Sequence, residues 1–419
     1  MQELLYLVHR FPYPPNKGDK IRSYHLLKHL AKYYRVHLGT FIDDEKDHEY
    51  LDKVKSLCGE TCIVDLHPRT ARLRSLAGFL YGQPLTLPYY RNAELQAWVN
   101  GILENRSIKH ILVFSSGMAQ YVGGAGSAKR IIDFVDIDSD KWMQYSATTG
   151  WPFSWIYRRE SKLLLEYVRC VARDFDSATF VSEAEADLFK QLSPEAAENI
   201  TYYNNGVDAE YFSPLHSYTN PYPPDSTVLV FVGAMDYWAN IDAVNWFARA
   251  IFPAVRAYRP GIEFYIVGAR PTAAVMSLAA LPGVTVTGAV PDVRPYLAHA
   301  FAAVAPLRIA RGIQNKVLEA MAMEQTVIAS PQALEGIGAL PGEELFVAKD
   351  ESEFADKIIS LLEMPGREIG RAARIRVLDD YSWKKSMERV DALLSEPKAL
   401  HTGRPLQHEL QHYFESNGR

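Results

Sequence analysis

Short apolar runs, each closed by a glycine, a proline or a polar loop and followed by a helical pattern, recur along this chain. They constrain its fold more than any other feature. Runs that are apolar throughout suit strands buried on both faces, and strand–helix alternation specifies parallel sheets covered by helices. In the first half such strands are expected at 4–8, 36–41, 61–66, 108–114, 130–135, 177–181 and 200–203. Helices are expected at 21–34, 47–57, 91–104, 156–173 and 183–191. Residues 213–226 are rich in Pro, Ser and Tyr and lack periodicity, which predicts a linker. The alternation then restarts. Strands are expected at 228–232, closed by Gly233, at 263–267, closed by Gly268, and at 284–288, 302–305 and 326–329. Helices are expected at 241–257, 351–362 and 367–379, with a last one after Trp383. The division is therefore a domain over 1–212, the linker 213–226, a second domain over 227–380, a terminal helix over 381–396 and a polar tail over 397–419.

At 419 residues the chain exceeds what one core supports, so two α/β domains are the natural solution. The net charge is −5, and no segment forms a basic domain, which argues against nucleic acid as a partner. Three cysteines without ligand spacing read as thiols in a reducing compartment. No apolar run reaches the length of a membrane span. The expected location is cytoplasmic, with any contact to the inner face of the cell membrane peripheral. Two patches hint at such contact: Arg69, Arg72 and Arg74 with Leu73, Leu76, Phe79, Leu80 and Tyr81, and Trp151, Phe153, Trp155 and Tyr157 with Arg158 and Arg159. Packing of these aromatics inside the first domain is the competing expectation.

In open parallel sheets the loops after strand C-termini line the ligand crevice. The dinucleotide fingerprint is missing there: Gly123-Gly-Ala-Gly126 lacks the third glycine at the needed spacing, and no P-loop occurs. The stretch from Arg308 to Met323 offers another anion site. A helix is expected to begin near Gln314 or Asn315, and Lys316 and Glu319 share one face of it. A helix N-terminus with Arg308, Arg311 and Lys316 suits a diphosphate, and Glu319 suits sugar or ribose hydroxyls. In the first half, Gly18 is the candidate for close backbone approach to a ligand, with Lys17 and Lys20 beside it. Asp136 lies at a strand C-terminus, and Ser115 and Ser116 end another strand. His9 is expected to be structural.

Several segments, taken in order, resemble glycosyltransferases of family 4. These are Val181-Ser-Glu-Ala-Glu185; Asn205-Gly206-Val207-Asp208 with Phe212-Ser-Pro214; Phe231-Val-Gly233 with Asn240; Ile266-Val-Gly268; Val286-Thr-Gly288-Ala-Val290; and Glu319-Ala-Met-Ala322. More narrowly, Val135-Asp136-Ile-Asp138-Ser-Asp140-Lys-Trp142 and the Arg308–Glu319 stretch resemble sugar transferases found with bacterial exosortase systems. The resemblance implies the GT-B fold: two Rossmann-like domains facing a central cleft, with the C-terminal helix crossing back to the first. It implies a retaining transfer of sugar from a nucleotide-diphosphate sugar to a glycan or lipid-linked acceptor, within exopolysaccharide synthesis, with no cofactor and no essential metal.

Two departures from that family stand out. The first glutamate of its E-x7-E motif is replaced by Arg311, and the Arg and Lys expected after Gly233 are replaced by Ala234-Met-Asp-Tyr-Trp-Ala239. On this reading Asp136, Arg308, Lys316 and Glu319 serve the chemistry. Gly18, Gly233, Gly268, Gly288, Val290, Arg311, Gly312 and Asn315 hold the donor, and Lys17, Lys20 and Ser116 meet the acceptor. A nucleotide-sugar epimerase and a non-catalytic nucleotide-sugar-binding partner are the alternatives.

Overall fold

A computed structural model describes residues 1–15, 17–123, 126–310, 312–364 and 367–395. The chain divides into two units, one of Met1–Tyr203 together with the chain from Met387, the other Asn204–Ser386.

The first unit holds strands β1 (Gln2–Val8), β2 (Tyr34–Ile42), β3 (Thr61–Asp65), β4 (Ile108–Phe114), β5 (Lys129–Val135), β6 (Ser177–Phe180) and β7 (Ile200–Tyr202). All pair in parallel, in the order β3-β2-β1-β4-β5-β6-β7. Order reverses between β1 and β4, so the loops after Val8 and Phe114 flank the crevice of this sheet. Its core is made of strand residues such as Leu5, Leu7, Ile111 and Val113, packed against Leu95, Val99, Leu164 and Val171 from two helices.

The second unit holds β8 (Thr227–Val232), β9 (Ile262–Val267), β10 (Val284–Gly288), β11 (Ala302–Ala305), β12 (Val327–Ala329) and β13 (Phe346–Val347). These are again parallel, in the order β10-β9-β8-β11-β12-β13. Here the order reverses between β8 and β11. The crevice therefore lies between the loop that starts at Gly233 and the one that starts at Pro306.

Some sequence expectations need correction. Residues 213–226 are not a free linker. The Tyr222 ring is buried and its hydroxyl donates to Tyr296 O at 2.6 Å, while Tyr218 O accepts from His299 Nε2 at 2.8 Å. Apolar tyrosine faces and satisfied carbonyls tie this stretch to the second unit despite its prolines. The helix expected at 241–257 is three pieces: Trp238–Trp246, a π-turn at Phe247–Ile251, and Phe252–Tyr258. Pro253 stands in the first turn of the last piece. A proline removes a ladder hydrogen bond, and the wide turn before it accommodates the loss. The terminal helix is Trp383–Ser395, and the change of unit falls within it, at Met387. The polar tail 397–419 lies outside the described residues.

Candidate functional site

In the second unit, three neighbouring strands end on glycine, and backbone bonds run from one end to the next. Gly233 N–H donates to Val267 O at 3.0 Å, and Gly268 N–H donates to Gly288 O at 3.2 Å. At Gly268 a Cβ would sit 1.7 Å from Gly233 O, so only glycine fits that approach. Gly288 has a φ of 69° but open space around it. Val290, two residues on, packs partly buried on the core of this unit.

Asn240 locks the loop after Gly233. The residue is buried in the first turns of helix Trp238–Trp246, and its Nδ2 donates to Ala234 O at 2.8 Å. That bond fixes which way the amide faces, so Oδ1 is left to accept, and it accepts from Lys316 Nζ at 2.9 Å. A Cβ at Gly233 would come within 2.8 Å of Asn240 Nδ2, so the glycine makes room for the lock.

Lys316 sits in the first turn of helix Asn315–Ala322, whose Val317, Leu318, Ala320, Met321 and Ala322 are buried. Its Nζ also lies 5.5 Å from the centre of the Phe231 ring and 3.5 Å from Gln314 Oε1. The Gln314 side chain makes no capping bond at this helix start, and among the described residues the buried Oδ1 of Asn315 has no hydrogen-bond partner. Gly312, with a φ of 63°, turns the chain into the helix. Burial pushes Lys316 down to about 8, with Glu319 opposing, and pushes Glu319 up to about 7, with Lys316 opposing. Both side chains keep some exposed surface, yet dense surrounding protein weakens their solvation. Near neutral pH the pair is thus poised between charged and neutral forms, a property concentrated at functional sites.

Arg308 does not join this pair. It is exposed, forms a two-pronged ion pair with Asp242, and lies 5.4 Å from the Trp246 ring. Asp242 and Asn240 are two apart on one helix and so point to different sides. Arg311 lies outside the described residues. The loop after Gly268 carries a cation that sequence reasoning passed over: Arg270, bonded to Asp236 in the loop after Gly233, with Nε to Oδ2 at 2.5 Å. Nothing in the local sequence of either residue announces that pair.

In the first unit, the chain leaves neighbouring strands in strained conformations. Ser115, just after β4, has a φ of 78°, and Val135, at the end of β5, has 69°. A β-branched residue rarely adopts that region, and such outliers cluster at functional sites. Asp133 holds the turn: its Oδ1 accepts from Val135 N at 3.1 Å, and its backbone O accepts from Ser115 N at 2.8 Å. Asp133 is itself buried against Arg22, whose Nε donates to it at 2.7 Å, and it also accepts from the Tyr203 hydroxyl. The guanidinium of Arg22 stacks on the Tyr203 ring at 3.5 Å.

The acidic run is thereby shared out. Asp133 belongs to this buried network, Asp136 and Asp138 accept from Lys141 Nζ at 2.7 and 3.2 Å, and Asp140 accepts from Gln144. Among the described residues, no group of three or more His, Cys, Asp or Glu is placed to hold a metal ion.

A cavity of about 480 Å³ opens beside these strand ends, lined among others by His9, Tyr90, Ser115, Lys141, Trp142 and Glu160. His9, expected to be structural, stacks flat on Phe114 at 5.8 Å, and its Nε2 is 3.6 Å from Asp19 Oδ2. Its Nδ1 is buried without a partner. Ser116 is buried with a partnerless Oγ. Gly18 opens helix Gly18–Tyr33 with empty space where a side chain would be, and Lys17 next to it is exposed. Lys20 requires a correction. It is only 2% exposed and donates to both Asp47 oxygens at 2.7 and 2.6 Å, so it braces the fold and cannot reach an acceptor.

Solved structures with this architecture cover nearly the whole chain. Sucrose-phosphate synthase from Thermosynechococcus elongatus is 17% identical, with a TM-score of 0.66 over 94% of this chain and 98% of its own. WaaG, a glycosyltransferase involved in lipopolysaccharide biosynthesis, is 12% identical, with a TM-score of 0.63 over 94% and 100%. The fold is GT-B. Anabaena HepE in complex with UDP and glucose shares this GT-B fold at 15% identity, with a TM-score of 0.64 over 95% and 100%. Residues 226–364, the greater part of the second GT-B unit, match the family of group 1 glycosyl transferases. Comparison with curated proteins gives no match.

Proposed function

We propose that this chain is a retaining glycosyltransferase of the family 4 type, moving a sugar from a nucleotide-diphosphate sugar to a glycan or lipid-linked acceptor in exopolysaccharide synthesis. The observation that carries the reading is the Lys316–Asn240 bond at the start of helix Asn315–Ala322. It holds an ammonium at a helix start, at the point where the sheet order reverses. In such a transfer, negative charge grows on the departing diphosphate. Prepositioned cations and N–H donors lower that barrier most. Lys316 supplies the charge at the positive end of the helix, and the partnerless Asn315 Oδ1 can accept from a sugar or ribose hydroxyl. Glu319, three residues on, takes the hydroxyls of the sugar or ribose.

The glycine-lined ends of β8, β9 and β10 give the nucleotide a surface without side chains. Arg308, held by Asp242, plays a lesser part unless it exchanges that partner. The acceptor belongs with the cavity of the first unit, whose lining includes Ser115, next to Ser116, and Lys141, the partner of Asp136. UDP-sugars are the first donors to test, because the HepE structures hold UDP and UDP-glucose. No metal or other cofactor is required in this scheme.

The test is release of nucleoside diphosphate from a panel of UDP- and GDP-sugars, with and without acceptor. Cleavage lost in Lys316→Ala and Glu319→Ala supports the proposal. Conversion of donor to an epimer without release, or no turnover with any donor, refutes it.

A further inference from the structure

The segments flanking the cavity of the first unit form an outward-facing apolar surface with cations. Helix Pro68–Ser75 runs almost without a break into the short helix Ala77–Leu80. Its spacing is inverted with respect to the core. Ala71, Ser75 and Gly78 face inward, while Leu73, Leu76 and Leu80 form one stripe in solvent, Leu80 being 83% exposed. Trp151, Phe153 and Trp155, at the start of helix Phe153–Asp174, are exposed too, Trp151 to 85%.

The two sets are riveted together. Phe79 stacks on Trp155 with ring centres 5.9 Å apart and planes 7° apart, and the Arg159 guanidinium lies 4.7 Å from the Phe79 ring. Arg159 also donates to Gly78 O and Gln83 O, and buried Glu160 accepts from Leu85 N and Thr86 N. The competing expectation, that these aromatics pack inside the domain, is met only in part: Phe79 and Tyr157 are half-buried, while Tyr81, Trp151, Phe153 and Trp155 are exposed.

Charge selects the occupant. Residues 66–93 and 141–159 contain no Asp or Glu. Arg69 and Arg72 are exposed beside the leucine stripe, and Arg158 and Lys162 follow Trp155 along one side of its helix. A second copy of this chain docked face to face would set these cations against one another. Leucine and tryptophan flanked by arginine suit the boundary between acyl chains and anionic headgroups. Among the described residues no helix is long and apolar enough to cross a membrane, so contact would be from one side.

We propose that this surface docks the first unit on an anionic lipid bilayer, with Leu73, Leu76, Leu80, Trp151, Phe153 and Trp155 at the acyl boundary. Arg72, beside the leucine stripe, and Tyr157, two residues after Trp155, also line the cavity, which therefore adjoins the docked surface. The inference rests on this surface alone and does not depend on the transfer reaction.

The test is co-sedimentation of the full chain with vesicles of phosphatidylcholine, with and without phosphatidylglycerol, alongside tryptophan emission. The expected result is binding to the anionic vesicles only, with a blue shift, and release at about 0.5 M salt. The double variant Leu80→Asp, Trp151→Asp alters two exposed side chains. It should keep its circular dichroism and thermal midpoint while losing about tenfold or more in partitioning. No binding at low salt, or equal binding by the double variant, overturns the proposal. So does self-association of the wild-type chain that the double variant abolishes while vesicles stay unbound.

Discussion

Lys316 and Asn240 join the two sides of the crevice in the second unit through one hydrogen bond of 2.9 Å. Asn240 cannot turn its amide around, because Nδ2 is already committed to Ala234 O. A short polar side chain on one helix thereby aims a cation at the start of another. On the proposed reading, Lys316 supplies from this side the charge that the loop after Gly233 lacks.

The pH dependence of ligand binding follows from the environment of Lys316. Its ammonium deprotonates at about 8 in the free protein, and a bound diphosphate favours the charged form. Affinity for UDP should therefore fall with rising pH above about 8, and binding there should take up a proton. Calorimetry in buffers of different ionisation enthalpy reads both effects. The folded protein is also affected. The group's ordinary value is 10.5, so the charged form costs stability below about 8, and the cost disappears as pH rises from 8 to 10.5. Lys316→Met should be more stable than wild type at pH 7, with the difference gone near pH 11.

Asn240→Ala should act on function through Lys316. The variant loses one hydrogen bond and frees the ammonium to move, so donor turnover should drop by about tenfold. Because the amide is buried, stability should also fall, by about 1–2 kcal/mol. Asn240→Asp should restore a partner for Lys316 and raise its proton affinity, moving the fall in UDP affinity to higher pH. A profile that does not move would separate Asn240 from Lys316.

The strand-end glycines differ in what they tolerate. Gly268→Ala places a methyl group inside the van der Waals surface of Gly233 O, and the sheet edge must shift. A loss of about 3 kcal/mol or more is expected, seen as a drop in the unfolding midpoint. Gly288→Ala meets only the cost of its positive φ, about 1 kcal/mol. Equal losses would show that crowding at Gly268 is relieved elsewhere.

Arg22→Met strips the partner from Asp133 in a fully buried pair. An uncompensated buried carboxylate costs about 3–5 kcal/mol, and the variant's denaturant midpoint should fall accordingly. The strained turn at Val135 should loosen with it, read as faster amide exchange at Val135.

Much of this architecture is legible in the amino-acid sequence because its strands are buried on both faces. Leu4–Val8 and Val228–Val232 are short, apolar throughout and closed by loop residues, which marks buried strands. Helices 68–75 and 77–80 escaped notice because their leucines point outward, against the usual rule that periodicity marks the core. Tyr222 made residues 213–226 part of a unit, although their prolines read as a linker. That Lys316 and Glu319 share a helix face follows from spacing, but their shifted proton affinities come from burial, and Asn240 lies 76 residues earlier in the chain, where only the parallel strand order brings it near. Lys20 shows the converse: its burial depends on Asp47, a partner that spacing does not reveal.

The central claim is that Lys316 is the cation of a nucleotide-diphosphate site. It is tested most directly by calorimetric titration of UDP and GDP into wild type, Lys316→Ala and Arg308→Ala at about pH 7.5. The account predicts that wild type binds one of them, that Lys316→Ala binds it about 10- to 100-fold more weakly, and that Arg308→Ala stays within a few-fold of wild type. Unchanged affinity in Lys316→Ala, or no binding of either nucleotide by wild type, would contradict it.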